Sequence, residues 1–405
     1  MNMLAGRSSF FKTACVISLL ALWASFAFSS ALTEIASMTA LAFWLLHRIS
    51  KKDASLPADK KTFLLLVLFT GWCLLSLLWS EAIQNSFRGS LKVLQHAMIF
   101  LLVADGLKEQ EGRKKWEILF IVLAAIIFLD GFFQYFAGKD LIRGFPYHMA
   151  SSGRRVTASF KTYGLFACWL IMVVPLAAAV GLNYRKQGKK AHALLYALVF
   201  LAGLALLFLT RSRGAWLAFI AGNFALLIYK RQWVWLGVFI VGLGIGVSQL
   251  PASMIIHLDI HRKEQSLIER YHLWKRALDV IKARPVTGTG INTYSVAHQK
   301  YDTTKNWRVQ NYYVHNGYLQ MAAEIGAPGL LLFLTFLAHC ILRIFSGLKS
   351  LPPDRQFITL GLLAGILNFL AFTAVDTVLH NAQPVMTFYF VLGLAYAYSR
   401  SSQNA

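Results

Sequence analysis

Charge is scarce in this 405-residue chain: Asp, Glu, Lys and Arg together make up 14% of it, and acidic residues number 18 against 40 lysines and arginines. A water-soluble domain needs charged surface on every side, which excludes a separate soluble domain here, and the few charges fall in the gaps between apolar blocks. Cysteine is equally sparse. Cys15, Cys73, Cys168 and Cys340 all lie inside apolar blocks, which excludes a disulfide framework and marks them as packing residues. No Cys or His cluster has metal-ligand spacing and no acidic pair forms an Asp-x-Asp arrangement, so metal-independent chemistry without a cofactor is expected. The net charge of +22 has no soluble fold beside it that could dock a nucleic-acid groove. Anionic membrane lipid is the better partner, and no nucleic acid is expected.

What the chain has instead is apolar sequence. Hydrophobic residues make up 57% of it, and they come in blocks of roughly 17 to 22, enough to cross a bilayer core as helix. The blocks predict an all-α polytopic membrane protein forming a single integral membrane domain over residues 1–405. Twelve spans are expected, at 14–30, 31–47, 62–80, 88–106, 116–137, 162–182, 192–210, 214–229, 233–250, 327–346, 357–375 and 384–399. Arg7 and Lys12 precede the first block as in a signal peptide. A second span follows almost at once, so a retained first helix is expected, with cleavage near Ala31 as the alternative.

An even count puts both termini on one side, and loop charge says which. The segments with Arg48, Lys51, Lys52, Lys60 and Lys61; with Arg113, Lys114 and Lys115; with Arg185, Lys186, Lys189 and Lys190; with Lys230 and Arg231; and with Arg343, Lys349 and Arg355 fall on the same face. That face, and with it both termini, is read as cytoplasmic.

Two long loops then lie on the outer face, residues 138–161 and 251–326, and both are basic against the usual preference. The first carries Lys139, Arg143, Arg154, Arg155 and Lys161 against Asp140. The second is expected to contain an amphipathic helix over 266–283, opened by a Ser266/Glu269 capping box and closed by Pro285. Leu267, Tyr271, Trp274, Leu278 and Ile281 form its apolar stripe, with Arg270 bordering the stripe and Arg276 pointing away.

Arg211 and Arg213 sit in the short turn Thr210-Arg211-Ser212-Arg213-Gly214 on the same outer face. Guanidinium groups can snorkel at such a position, but a tight turn between two helix ends holds them as a fixed positive site suited to bidentate phosphate contact, with Arg270 and Arg155 as additions from the basic loops. His315, between Val314 and Asn316 at the outer end of the tenth span, is the candidate base: imidazole can take a proton from a hydroxyl at physiological pH, although a lone histidine near an interface also serves structurally. Asn316 and Tyr313 are its possible supports, and Trp307, Tyr312 and Tyr313 are the aromatics placed to touch a sugar. Asp376, His380 and Asn381 cluster between the last two spans, where pairing of Asp376 with an arginine is expected. Gly288-Thr289-Gly290 reads as a turn, not a phosphate loop.

The run Val314-His315-Asn316-Gly317-Tyr318-Leu319-Gln320 through Ala323-Glu324-Ile325-Gly326-Ala327-Pro328-Gly329 resembles the hallmark of the bacterial lipopolysaccharide O-antigen ligase family. Thr210 to Trp216 is similar to that family's arginine turn, and Arg284-Pro285-Val286-Thr287-Gly288-Thr289-Gly290 to its Pro-x-x-Gly-x-Gly stretch. Arg155 to Phe160 is similar to a further segment, with Ala158 standing where the family has Gly.

The resemblance implies a GT-C-like, lipid-carrier glycosyltransferase of the bacterial inner membrane with its site facing the periplasm. It would transfer a preassembled glycan from an undecaprenyl-diphosphate-linked donor to a sugar hydroxyl of a lipid A core acceptor, with inversion. His315 would then activate the acceptor hydroxyl, and Arg213 with Arg270, and more weakly Arg211, would bind the diphosphate. An O-antigen polymerase or a protein O-oligosaccharyltransferase is the enzymatic alternative. An anionic lipid transporter or flippase is the alternative of a different class, although it would place ionisable groups near the bilayer midplane. Glycan identity and oligomeric state are not written in these residues.

Overall fold

The computed structural model describes residues 2–107, 110–150, 153–229, 231, 260–301 and 313–400. The chain runs α1 (Asn2–Ser25), α2 (Ser30–Lys51), α3 (Lys60–Leu75), α4 (Ile83–Gly106) and α5 (Gln110–Ala137). A small antiparallel hairpin, β1 (His148–Ala150) and β2 (Gly153–Arg155), pairs His148 with Arg155 in the first long loop. Then follow α6 (Tyr163–Lys186), α7 (Lys190–Leu209), α8 (Arg213–Tyr229), α9 (Ile260–Ala283), α10 (Tyr294–Tyr301), α11 (Gly317–Leu348), α12 (Pro353–Thr373) and α13 (Ala382–Arg400). Among the described residues seven segments are long and apolar enough to cross a membrane: Lys60–Trp79, Ile83–Gly106, Lys115–Ala137, Tyr163–Lys186, Lys190–Leu209, Gly317–Leu348 and Pro353–Thr373. Two shorter apolar helices, Ser9–Ser25 and Arg213–Ile228, join them, and the chain is a multi-pass membrane protein. The span expected at 233–250 lies outside the described residues.

The centre of the bundle is built from α6 and α13. Residues of α13 from Gln383 to Ser399 are buried all round, as are most of α6 from Phe166 to Val180, because helices apolar on every face can only sit inside protein or lipid. Small residues let the helices approach closely. A Cβ on Gly365 of α12 would collide with the Met172 carbonyl of α6, and one on Gly393 would come within 2.8 Å of the Phe100 carbonyl oxygen of α4. Asn368 of α12 adds a polar link, its Nδ2 donating to the Ile171 carbonyl of α6 at 2.8 Å.

Three expectations are corrected. The helix of the second loop starts at Ile260, so Ser266 lies inside it and cannot be its N-cap; the end at Ala283, before Arg284-Pro285, stands as expected. The face that α9 buries is Leu273, Arg276, Ala277 and Val280, while Tyr271, Trp274 and Leu278 are exposed. Ala277 and Val280 form a small core with Tyr294, Val314 and Ala323, so Arg276 points inward and the apolar stripe is left for the surroundings. Finally, α11 begins ten residues before the span expected at 327–346. Asn316 caps it, accepting from the Tyr318 and Leu319 amides, and Gly326 (φ 69°, ψ 177°) with Pro328 breaks it into a short polar piece and a long apolar one.

Candidate active site

Two of the sequence motifs fold onto each other. The strap Pro285–Gly290 lies along the break in α11: the Thr289 amide donates to the Ala323 carbonyl at 3.1 Å, the Gly290 amide to the Glu324 carbonyl at 2.8 Å, and the Ala327 amide to the Pro285 carbonyl at 2.8 Å. Any side chain at Gly288 (φ 63°) would collide with the Glu324 carbonyl, which is why this stretch needs its glycines and why it is a clamp, not a phosphate cradle. Two indoles pin the joint from α3 and the turn after it, Trp72 Nε1 to the Ile325 carbonyl and Trp79 Nε1 to the Thr287 carbonyl, both at 2.8 Å.

Glu324 is the hub of this joint. Its side chain, 2% exposed, accepts from the Asn292 amide at 2.8 Å, the Tyr294 amide at 3.2 Å and Gln320 Nε2 at 3.1 Å, and it pairs with His380 Nε2 at 3.1 Å. A carboxylate buried this deeply stands only because every lone pair is engaged. Neither Glu324 nor His380 was singled out for a role from sequence; the signal for Glu324 was an acid within the apolar run Ala322 to Ile325.

His315 projects from the same joint. Val314 before it is buried and Asn316 after it caps α11, so the residue between them is turned into the left-handed region (φ 52°) and faces outward. His315 Nδ1 lies 3.2 Å from Asp376 Oδ1, and both side chains are somewhat over one third exposed. The expected arginine partner of Asp376 is thus replaced by the imidazole. With Nδ1 held as donor, Nε2 is left as the acceptor nitrogen. Tyr313 is exposed and its ring packs on His380 with centroids 5.3 Å apart, whereas the side chain of Asn316 is occupied by the cap. Trp307 and Tyr312 lie outside the described residues.

The arginine turn reaches this point by way of α12. A Cβ on Gly214 would come within 3.2 Å of Val375, the residue before Asp376, and one on Gly164 within 3.8 Å of Asp376 Oδ2. Thr210 and Trp216 tighten the turn by donating to the Leu207 carbonyl, and Arg211 takes a positive φ of 53°. The Arg211 guanidinium lies over Gly153 of β2, and its buried Nε has no hydrogen-bond partner. Arg213 is exposed at the first position of α8.

The Val156 amide bonds the Leu209 carbonyl, which ties the hairpin loop to the turn, and the Arg155 guanidinium stacks over Tyr163 at 4.5 Å. Ala158, where the family resemblance has Gly, takes a φ of 47° and is fully buried, its amide held by Gln134 Oε1 at 2.9 Å. An alanine therefore holds a left-handed backbone that glycine would take freely, at some cost in strain. Arg270 is half-buried on α9, and among the described residues no hydrogen bond or ion pair joins it to this cluster. Arg211 and Arg213 likewise make no ion pair there. The turn thus sets Arg211 and Arg213, without an ion pair among the described residues, near one imidazole that has a carboxylate.

Residues 197–334 match the family described as O-Antigen ligase, a stretch that contains the arginine turn, the strap, His315 and Glu324. A Rickettsia felis protein named "Putative polysaccharide ligase" is 27% identical over 305 residues, covering 70% of this chain and 69% of its own. A Rickettsia conorii protein of similar name is 28% identical over 330 residues, covering 76% and 73%. Over the arginine turn, the strap and His315 the chain is thus similar to O-antigen ligases, and over about 70% or more of its length to proteins named as putative polysaccharide ligases, within a multi-pass membrane bundle of the ligase and polymerase type in glycan assembly.

Proposed function

We propose that the protein transfers a preassembled glycan from undecaprenyl diphosphate to a sugar hydroxyl of lipid A core at the periplasmic face of the inner membrane. The observation that carries this reading is the His315–Asp376 pair at 3.2 Å beside an arginine turn that pairs with no acid among the described residues. Asp376 orients the ring and stabilises the imidazolium that forms; His315 Nε2 takes the proton from the acceptor hydroxyl as its oxygen attacks the anomeric carbon. The bond from that carbon to the diphosphate oxygen breaks, and its electron pair leaves with the diphosphate. Arg213, Arg211 and Arg155, with Arg270 from α9, meet the charge accumulating there, and such preorganised charge is usually the largest catalytic contribution. The diphosphate is a good leaving group and needs no protonation.

Displacement in one step inverts the anomeric centre. Solving the configuration of the new glycosidic bond by NMR tests the scheme: inversion is expected, and retention would require a covalent intermediate that these residues do not provide. Presenting the purified protein with core lipid and, separately, with a second carrier-linked glycan distinguishes ligase from polymerase; transfer to core lipid is expected.

A further inference from the structure

Two cations on α4 are used by nothing described above. Arg88 and Lys92 lie one turn apart on an exposed face of this membrane-spanning helix, flanked by Phe87 and Leu91, which are about half exposed. Neither makes a hydrogen bond or ion pair among the described residues. The start of α4 belongs to the active-site end, since Asn292 of the strap's continuation donates to the Asn85 carbonyl and packs against Gly89. Lys92 is the tenth residue of α4, which at 1.5 Å per residue puts it about 14 Å along the helix from that end. A cation at that depth is costly unless an anion meets it.

Lys92 also lines a cavity of ≈ 70 Å³ between α3, α4, α11 and α13. Its apolar wall includes Phe69, Phe333 and Tyr389, and its polar lining is His96, Asn292, Glu324 and His380. The acid in that cavity, Glu324, is already engaged by His380, Gln320 and two backbone amides, so it does not answer Lys92. The cavity also touches Gly317, the first residue of the helix that follows His315, and Leu379, three residues after Asp376, so it lies on the α4 side of the segments that carry the reacting groups. The arginine turn approaches them from the flank of α6, α8 and α12. Both α4 and α12 pack on α13, which separates the two approaches.

The geometry points to a second lipid entrance: the α4 face takes the phosphorylated acyl-glycolipid acceptor, with Arg88 and Lys92 binding its lipid phosphate while Phe87, Leu91 and the cavity wall meet its acyl chains. The inference rests on the transfer reading above. In a displacement with inversion the nucleophile and the leaving group occupy opposite faces of the anomeric carbon, so if the arginine turn holds the diphosphate, the acceptor must come from the other flank. An exposed cation pair on an apolar face of a membrane-spanning helix, at the end that carries the base, is the feature a phosphate-bearing lipid fits.

The test is binding and kinetics of the double variant Arg88→Gln/Lys92→Gln in nanodiscs, with lipid A core carrying its lipid phosphates and the same lipid after phosphatase treatment as probes. The acceptor KM should rise about ten-fold or more, as the loss of charge-assisted contacts implies, with kcat and the donor KM little changed. Phosphatase-treated acceptor should not distinguish variant from parent, and Lys92→Arg with Arg88 retained should bind like the parent. An unchanged acceptor KM, or an equal rise in donor KM, would overturn the second entrance. Acceptor binding measured without donor, in a His315→Ala background, keeps the outcome separate from the transfer reading: lost chemistry at His315 leaves this binding intact, and an equal affinity of variant and parent for the phosphorylated lipid rejects the entrance by itself.

Discussion

The two ends of the helix bundle use the same residue types in opposite ways. At the end away from the site, charges are spent on one another: Arg48 Nη1 meets Asp105 at 3.1 Å with Trp44 donating to the same carboxylate, and Asp59 caps α3 while Arg343 and His339 lie within 3.8 Å. At the site end the buried carboxylate Glu324 is committed to the Asn292 and Tyr294 amides, Gln320 and His380, Glu81 is committed to Arg284, Lys300 and Tyr301, and among the described residues the arginine turn meets no acid. A paired guanidinium holds helices together; one without an acid between two helix ends is available to an anion, in the proposed reading the diphosphate. The difference lies in where the acids are, since basic residues border both ends.

The largest expected effect breaks the site end from within. Glu324→Ala should remove the partner of four groups and leave His380, Gln320 and the Asn292 and Tyr294 amides unsatisfied, costing about 3 kcal/mol or more, as removal of one member of a buried pair does; thermal unfolding in detergent would show it as a clear drop in Tm together with lost transfer. Arg213→Ala should behave in the contrary way, losing about 100-fold in transfer rate at unchanged Tm, the scale seen when a preorganised charge contact is removed. Arg48→Ala, at the other end, sharpens the contrast: a lower Tm with specific activity of the folded fraction retained. A loss of Tm in Arg213→Ala, or of activity in folded Arg48→Ala, would erase the distinction between the ends.

Asp376→Asn should reduce transfer by about ten-fold or more with little change in donor affinity, because the ring loses its orienting carboxylate. Rate and donor binding measured on the same preparation check this. The smallest effect concerns acid. Burial alone would raise the Asp59 carboxyl, but hydrogen bonds from Tyr396 and Thr62 and the charge of Arg343 hold it well below the usual carboxylate range. A lowered carboxyl contributes stability above its ordinary pKa near ~3.9 and loses it as pH falls through the folded value. Asp59→Asn should therefore narrow the gap in Tm between neutral and strongly acidic pH, by an amount reduced by the exposure of this site.

Much of this was legible in the sequence because lipid imposes it. Among the described residues the apolar blocks became helices nearly where they were expected, and the arginine turn, the strap and His315 arrived at one end of the bundle as their shared loop side predicted. What the sequence hid is tertiary. The hydrophobic pattern of α9 named its apolar stripe correctly and its buried face wrongly, because a small core around Tyr294 and Val314 takes Ala277 and Val280 instead. Glu324 and His380 stand 56 positions apart, and only the fold of the last connection against broken α11 makes them partners. Asp376 was seen as a candidate, but its choice of an imidazole over an arginine depended on the left-handed backbone at His315.

The central claim, that His315 removes the acceptor proton, is tested most directly by the single-turnover rate of glycan transfer in folded His315→Ala with donor and core lipid saturating. The expected result is a rate about 100-fold or more below the parent with donor binding intact. A rate equal to the parent's would contradict the account.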